Sequence, residues 1–316
     1  MKPLFIREEE VGQLVSVSET IDILEKAFVG QTSGKAVNLT RRRLATGKAF
    51  LHILGGAVGD YFGYKAYTVG AGSARFLFHL FDSKTGELVS LMQADTLGQV
   101  RTGAASGLAT RYLAPADATV ATLFGAGWQA ESQLEAICAV RALERVWLVN
   151  RDPEKARRFI EKMTPRVGAD VRPAKSAEDA VSGSHVVTTI TNSREPVLFG
   201  SWIRPGTHVN AAGGNMLLRK EVDGEVVSRA RLLVVDSIEQ ARIECGEFLG
   251  VLTTGRRYWD EIVELKDVAS GRIGRDADGD ITFFKSQGVG IEDVALGAIV
   301  YERARERGLG RELDLA

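Results

Sequence analysis

The spacing of apolar positions changes twice along the chain, and each change predicts a different kind of element. In "SVSETIDILEKAF", Ser16 and Glu19 stand at capping-box spacing, and Ile21, Leu24 and Phe28 follow on one helical face. The stretch predicts a docked amphipathic helix. From residue 48 to 92 the pattern shortens to "AFLHIL", "YFGYKAYTV", "ARFLFHLFD" and "ELVSLM", separated by glycine and by the turn "DSKTG". Such β-rich pieces predict an antiparallel sheet. "QVRTGAASGLATRYL" (99–113) then reads as a helix crowded with Gly103, Ala104, Ala105, Ser106, Gly107 and Ala109. Glycine costs helix stability, so residues this small predict close approach to a neighbour.

Beyond "APAD" at 114–117, strands and helices alternate. The strands "ATVATLF", "RVWLVN", "ADVRPA", "HVVTTIT", "THVNAAG" and "RLLVVD" have helical stretches such as "PEKARRFIEKM" and "SAEDAVSG" between several of them. That order predicts parallel β-α-β units wound around one sheet. The final helix, "IEDVALGAIVYERARERG", is acidic at its start and basic at its end, matching the helix dipole, and is expected to return to the first domain. The expected class is α/β, with a doubly wound parallel sheet over 115–288 and a smaller α+β domain built from 1–114 with 289–316.

Composition narrows the function without naming it. The 316 residues are 45% hydrophobic and 26% charged with a net charge of -1, so there is no basic excess to attract phosphate backbones and no nucleic-acid partner is expected. No apolar run approaches the roughly 20 residues a bilayer span needs, and "MKPLFIREEE" turns acidic where a signal peptide would stay apolar. A cytoplasmic protein without a membrane partner is expected. Cys138 and Cys245 lack any ligand or pairing motif, so neither a disulfide framework nor a metal site is suggested.

The chemistry begins in "VATLFGAGWQAESQLEAI" (120–137), where Gly125, Gly127 and Ala130 fit G-x-G-x-x-A. Alone the match is weak, but it follows an apolar strand, precedes a helix and is the first β-α turn of the alternating half. These are the conditions of a dinucleotide fingerprint: one glycine for the turn, one for the pyrophosphate, a small residue for close packing. At the end of the second strand, where an NAD site usually holds a carboxylate, stand Asn150 and Arg151. A guanidinium beside a neutral amide suits a 2'-phosphate, so NADP is expected in preference to NAD. The alternative is a solvated Arg151 with Asp152 turned in to hold the ribose.

With "VRTGAASGLATRYLA", "GAGWQA", "VNAAGGNMLLRKEVD" and "FKSQGVGIEDVALGAIVYERA" in this order, the chain resembles the ornithine cyclodeaminase/μ-crystallin family over nearly its whole length. The resemblance implies a homodimer with a Rossmann domain and a smaller domain that supplies substrate contacts and the dimer sheet. It implies that Arg41 in "LTRRRL", Lys65 in "YFGYKAYTV" and Arg101 in "VRTGAAS" clamp the carboxylate of a small imino or amino acid, Arg43 being the alternative to Arg41. For the cofactor it implies Trp128 and Gln129 at the pyrophosphate, Thr191 after the fourth strand and Ser286 in a late loop near the nicotinamide. Ser73 and Arg219 match weaker cofactor positions.

Two residues depart from the cyclodeaminase pattern. An aspartate of those enzymes is Asn215 in "AAGGNM", and an amide accepts no proton at neutral pH. A glutamate that receives the distal amine of a diamino acid corresponds to His52. Both losses point away from ornithine. Asn215 is expected to orient an imine or amine nitrogen, and His52 to donate to a substrate side group or to serve as a proton source.

The expected activity is therefore NAD(P)H-dependent oxidoreduction at the C=N or C–N bond of a small 2-imino or 2-amino acid. Arg41 and Arg101 would hold the carboxylate, and Lys65 would stabilise charge and handle the proton. A cyclodeaminase that recycles its NAD, and a non-catalytic crystallin-like protein that binds NADP or a ligand, are the alternatives.

Overall fold

A computed structural model describes residues 2–70 and 74–315. Two compact units divide the chain, residues 1–101 with 289–316 and residues 102–288. The division falls within one helix and not at the expected position after residue 114.

The first unit opens with β1 (Leu4–Ile6), α1 (Glu8–Leu14) and α2 (Val17–Thr32), followed by β2 (Ala36–Ala45), β3 (Phe50–Val58), β4 (Tyr61–Val69), β5 (Ala74–Asp82) and β6 (Leu88–Gln93). Ser16 caps α2 by accepting the Glu19 amide, and its hydroxyl donates to the Glu19 carboxylate, so the predicted start of this helix is in place. The expected antiparallel strands pair in sequence as β3 to β6. Sequence periodicity does not identify β1 or β2. Three successive arginines in "LTRRRLA" conceal the alternation of β2, and the three residues of β1 are too few to carry a period.

Helix α3 (Asp95–Leu113) leads into the second unit. Within that unit a side chain at Gly103 would collide with the backbone of Ser132, which fulfils the expectation of close packing. The unit runs β7 (Val120–Phe124), α4 (Trp128–Val140), β8 (Arg145–Val149), α5 (Pro153–Val167), β9 (Asp170–Pro173), α6 (Ala177–Ser182), β10 (Val186–Thr189) and β11 (His208–Ala211). It continues through α7 (Gly224–Arg229), β12 (Leu232–Val235), α8 (Ile238–Glu244), α9 (Gly246–Thr253), β13 (Ile262–Glu264), α10 (Leu265–Ala269) and β14 (Thr282–Lys285).

All eight strands of its sheet are parallel, in the order β13-β12-β14-β11-β10-β7-β8-β9. Separate apolar clusters pack Leu134, Ile137, Phe159 and Met163 with β7 to β9, and Val226, Val227, Phe248 and Val251 with β10 to β14. The winding reverses between β7 and β10, and a doubly wound sheet binds ligands beyond the carboxyl ends of its strands at such a point.

The chain then returns to the first unit through α11 (Gly290–Arg307) and β15 (Arg311–Glu312). The seven-stranded sheet there has the order β15-β1-β6-β5-β4-β3-β2. Helices α2 and α11 cover one of its faces, burying Ile21, Leu24, Phe28, Leu54, Phe78 and Val294. The register sets Val37, Ala57, Phe62 and Phe81 in one row of the other face and Ile53, Ala66 and Leu77 in another. Val37, Ile53, Phe62 and Leu77 are exposed there.

Candidate functional site

In the first unit, the three cations Arg41, Lys65 and Arg101 are buried. Lys65 lies on the covered face of β4, opposite Leu54 of β3. Arg41 reaches the interior because the pairing of β2 with β3 slips between Leu39 and Arg42, so Thr40 and Arg41 are buried in succession. A bulge of this kind re-aims a side chain that strict alternation would turn outward. Arg42 is exposed and Arg43 half-buried. Arg101, on the first turns of α3, is 7% exposed.

Two carboxylates complete the cluster, and both come from the first turn of α11. Lys65 Nζ donates to Asp293 Oδ1 at 2.6 Å, Arg101 Nη1 donates to Glu292 Oε2 at 2.7 Å, and Arg101 Nε lies 3.2 Å from Asp293 Oδ1. Asp293 thus bridges the two cations. Glu292 and Asp293 are fully buried. The helix can settle this close to β3 because a side chain at Gly290 would collide with the Gly55 carbonyl. From the sequence, both acids read as partners of the helix dipole. The available signal was their place inside the buried run "GIEDVALG", since an acid is seldom fully buried without a partner.

The environment weakens the Lys65 ammonium. Burial, then Arg101 and then Arg41 pull its pKa down against the opposing pull of Asp293, to about 8. For Arg101, burial disfavours the charge but Asp293 and Glu292 outweigh it, holding the guanidinium above its ordinary value. Asp95, at the start of α3, also lies within electrostatic range of Lys65.

His52 occupies the same covered face. Register aligns Arg43, His52 and Tyr67 across three strands, the imidazole stacks on Tyr67 at 4.3 Å between centroids, and Arg43 Nε donates to His52 Nδ1 at 3.1 Å. Burial first, then Arg43 and Arg41, push its pKa to about 4. A shift in this direction favours the neutral ring, the form suited to donating to a substrate side group more than to yielding a proton.

In the second unit, the glycine loop joins β7 to α4 as expected. Gly125 has φ +106°, and any side chain there would strike the Ile190 carbonyl. Gly127 is the N-cap of α4 and offers no capping side chain, while nothing lies within 4 Å of where its Cβ would stand. A helix start with that room in front of it favours an anion. The loop, together with the ends of β8, β10 and β11, lines a cleft of about 600 Å³ at the switch point. Gly125, Gly127, Trp128, Gln129, Asn150, Arg151 and Thr191 all line it. These residues fit a dinucleotide.

At the ribose end of the cleft, Asp152 accepts the Lys155 amide as the N-cap of α5, and Asn150 Nδ2 donates to the Asp152 carbonyl. The Asp152 carboxylate therefore serves the helix, and Arg151 and Lys155 are the charged residues lining this part of the cleft. Sequence reasoning missed Lys155 and a buried brace behind Thr191. Glu221 is fully buried and accepts from the Thr191 amide and hydroxyl at 2.5 and 2.7 Å, from the Thr189 hydroxyl at 3.0 Å and from the Gly213 amide at 2.6 Å. Burial raises its pKa, and Lys285 opposes the rise.

The other expected residues lie apart from the lining of this cleft. Ser286 is buried after β14 with its amide bonded to the Ala211 carbonyl, and Asp236 holds the adjoining Gln287 and Gly288 amides. Asn215 is half-buried beyond β11, beside Gly214, whose carbonyl accepts from Lys285 Nζ. The Arg219 amide closes a turn to the Met216 carbonyl. Ser73 lies outside the described residues. Among the described residues, no helix is long and apolar enough to cross a membrane.

Known proteins share this fold. The chain is 35% identical over 237 residues to a Delta(1)-pyrroline-2-carboxylate reductase of Bacillus cereus, covering 74% of this chain and 73% of the relative. The structure of Thermococcus litoralis Delta(1)-pyrroline-2-carboxylate reductase in complex with NADH and L-proline superposes with a TM-score of 0.92 at 33% identity, covering 98% of this chain and all of the other. An archaeal alanine dehydrogenase dimer with bound NAD gives a TM-score of 0.94 at 31% identity over the full length of both chains. Matched by the model of the ornithine cyclodeaminase/mu-crystallin family across residues 1–308, the chain belongs to that family.

Proposed function

We propose that the protein is an NAD(P)H-dependent oxidoreductase acting on the C=N or C–N bond of a small 2-imino or 2-amino acid. The observation that supports this reading is the burial of Arg41, Lys65 and Arg101 in one unit, with Lys65 and Arg101 held by Asp293 and Glu292, a set of cations suited to a small carboxylate. Arg41 is favoured over Arg43 for that contact. Arg41 is buried and within electrostatic range of Lys65, whereas Arg43 is only half-buried and donates to His52.

In the reductive direction Arg41 and Arg101 orient the carboxylate, with planar donors that fix its plane as well as its position. Lys65 holds a proton that it can yield near neutral pH, because burial has weakened its ammonium. Asn215 is assigned to orient the substrate nitrogen. A nicotinamide held by the cleft residues would supply the hydride for the C=N carbon. Gly125, Gly127, Trp128, Gln129 and Thr191 are assigned to hold the nucleotide, with weaker roles for Ser73, Arg219 and Ser286. NADP is favoured over NAD, since Arg151 and Lys155 line the cleft where Asp152 is committed to capping α5.

A homodimer joined through the uncovered apolar sheet face completes the reading, in the cytoplasm, where the free Cys138 and Cys245 would stay reduced. The test follows NADPH and NADH oxidation over a panel of cyclic imines and of 2-oxo acids with ammonia. Stoichiometric oxidation, abolished in Lys65→Ala with NADPH binding retained, is the expected result. Ornithine turnover without net consumption of the nucleotide would replace the reading with a cyclodeaminase, and nucleotide binding without any turnover would replace it with a binding protein.

A further inference from the structure

We infer that Lys285 is a positioning residue for the nucleotide: its buried ammonium, acting through Glu221 and the Gly214 carbonyl, fixes the two loops that follow β10 and β11. The inference rests on the nucleotide reading of the cleft given above. Lys285 is the last residue of β14, which lies between β11 and β12 and pairs Lys285 with Ala211 and Val235. Its side chain is fully buried and takes no part in lining the cleft. A lysine is almost never buried so deeply unless its charge has partners.

Those partners are two carboxylates and a carbonyl. Lys285 Nζ donates to the Gly214 carbonyl and lies 3.3 Å from Oε1 of Glu247, in the first turn of α9. Burial works against the ammonium, but Glu247, Cys245 and Glu221 outweigh it and raise its pKa, so the lysine keeps its proton.

Glu221 is surrounded by donors. Oε1 accepts from the Thr191 amide and hydroxyl, and Oε2 from the Thr189 hydroxyl and the Gly213 amide, two donors on each oxygen. A protonated carboxyl would lose at least one of these bonds, so the full set requires the anion. A buried anion in turn requires a counter-ion, and Lys285 is the cation that opposes the effect of burial on Glu221.

The two loops meet at this carboxylate. Thr191 and Gly213 line the nucleotide cleft, and a side chain at Gly213 would collide with the Thr191 carbonyl and with Glu221 itself. A side chain at Gly246 would strike the Leu217 and Arg219 carbonyls, so the start of α9 that carries Glu247 is seated on the same loop. Lys285 therefore secures the junction twice, by charge at Glu221 and by a hydrogen bond at Gly214. Without that charge Glu221 takes up a proton, and the contact that sets the cleft is lost.

The experiment titrates NADPH and NADH by fluorescence on the full-length protein, with thermal unfolding alongside, in Lys285→Met, Lys285→Gln, Glu221→Gln and the double variant Lys285→Met with Glu221→Gln. Lys285→Met should weaken the better-bound nucleotide by about tenfold or more, the scale of a charged hydrogen-bond set. At saturating nucleotide, kcat for imine reduction should stay within about twofold of wild type, because only nucleotide binding has been touched. Lys285→Gln keeps a donor for Gly214 and should lose less. Glu221→Gln removes the anion that Lys285 serves, so the loss in the double variant should fall well short of the product of the two single losses. Should Lys285→Met not fold, Lys285→Gln in the same two backgrounds supplies the comparison.

Unchanged affinity in the folded Lys285 variants, or losses that multiply in the double variant, overturns the inference. A lowered melting temperature with affinity intact is the mark of a merely structural lysine and overturns it equally. If imines are reduced while the Lys285 variants bind nucleotide normally, the inference falls and the reductase reading stands. If Lys285 and Glu221 prove coupled in nucleotide binding but no imine is reduced, the inference stands and the reductase reading falls. A wild type that binds neither nucleotide overturns both.

Discussion

Lys65 shows how a single side chain can carry the pH behaviour of a reaction. With its pKa at about 8, it is an ammonium below that pH and an amine above it. If it yields the proton in imine reduction, kcat/KM should be level on the acid side and fall as pH rises through about 8, whereas amino-acid oxidation should rise through the same value. Lys65→Met should remove the inflection along with most of the rate. Asp293 raises the Lys65 pKa by its charge, so Asp293→Asn should move the inflection downward. That variant also leaves Lys65 and Arg101 short of an anion, and thermal unfolding should register a loss of about 3 kcal/mol. An inflection that stays in place in Asp293→Asn would mean that another group sets the profile.

At the scale of elements, the nucleotide cleft depends on loops that are individually short. Gly125→Ala should abolish nucleotide binding in a fluorescence titration with NADPH, because φ +106° and the Ile190 carbonyl both exclude a Cβ. Glu221→Gln should weaken NADPH binding by about tenfold, since the amide loses one of the acceptor bonds that tie Thr191 to Gly213. Arg151→Ala should reduce the preference for NADPH over NADH, measured as a ratio of kcat/KM values.

The glycine loop was legible in the sequence because strand, turn and helix are contiguous there and each has its own signature. Other parts of the fold and site were hidden for physical reasons. The inward turn of Arg41 depends on a bulge that no periodicity reveals. The strand Thr282–Lys285 is buried along its whole length, so it shows no alternation to read. Asp293 and Glu292 met their local helical rule so well that their long-range partners, Lys65 and Arg101, left no trace in it.

At the scale of the whole molecule, the uncovered face of the seven-stranded sheet bears on assembly. Val37 and Leu39 are 60% and 58% exposed, and Ile53, Phe62 and Leu77 lie between 38% and 39%. Phe62 stacks on Phe81 at 5.1 Å and Tyr64 on His79 at 4.5 Å, so the face is a continuous aromatic and aliphatic surface and not a scatter of single side chains. A stable monomer seldom leaves so large a patch in water. A twofold axis through the sheet would let the patch cover itself, since an isologous interface uses the same residues from both copies. Burial of roughly 800 Å² per partner is what a specific interface of ordinary size requires. Phe62→Glu places a charge in the middle of a row that already holds Val37, Ala57 and Phe81, and burying two such carboxylates opposite one another costs several kcal/mol. Sedimentation velocity should therefore show the wild type as a dimer and Phe62→Glu as a monomer with its circular dichroism unchanged. Because a dimer is stabilised by mass action, the wild-type melting temperature should rise with protein concentration while that of the variant should not. A Phe62→Glu protein that still sediments as a dimer would assign the contact to another surface.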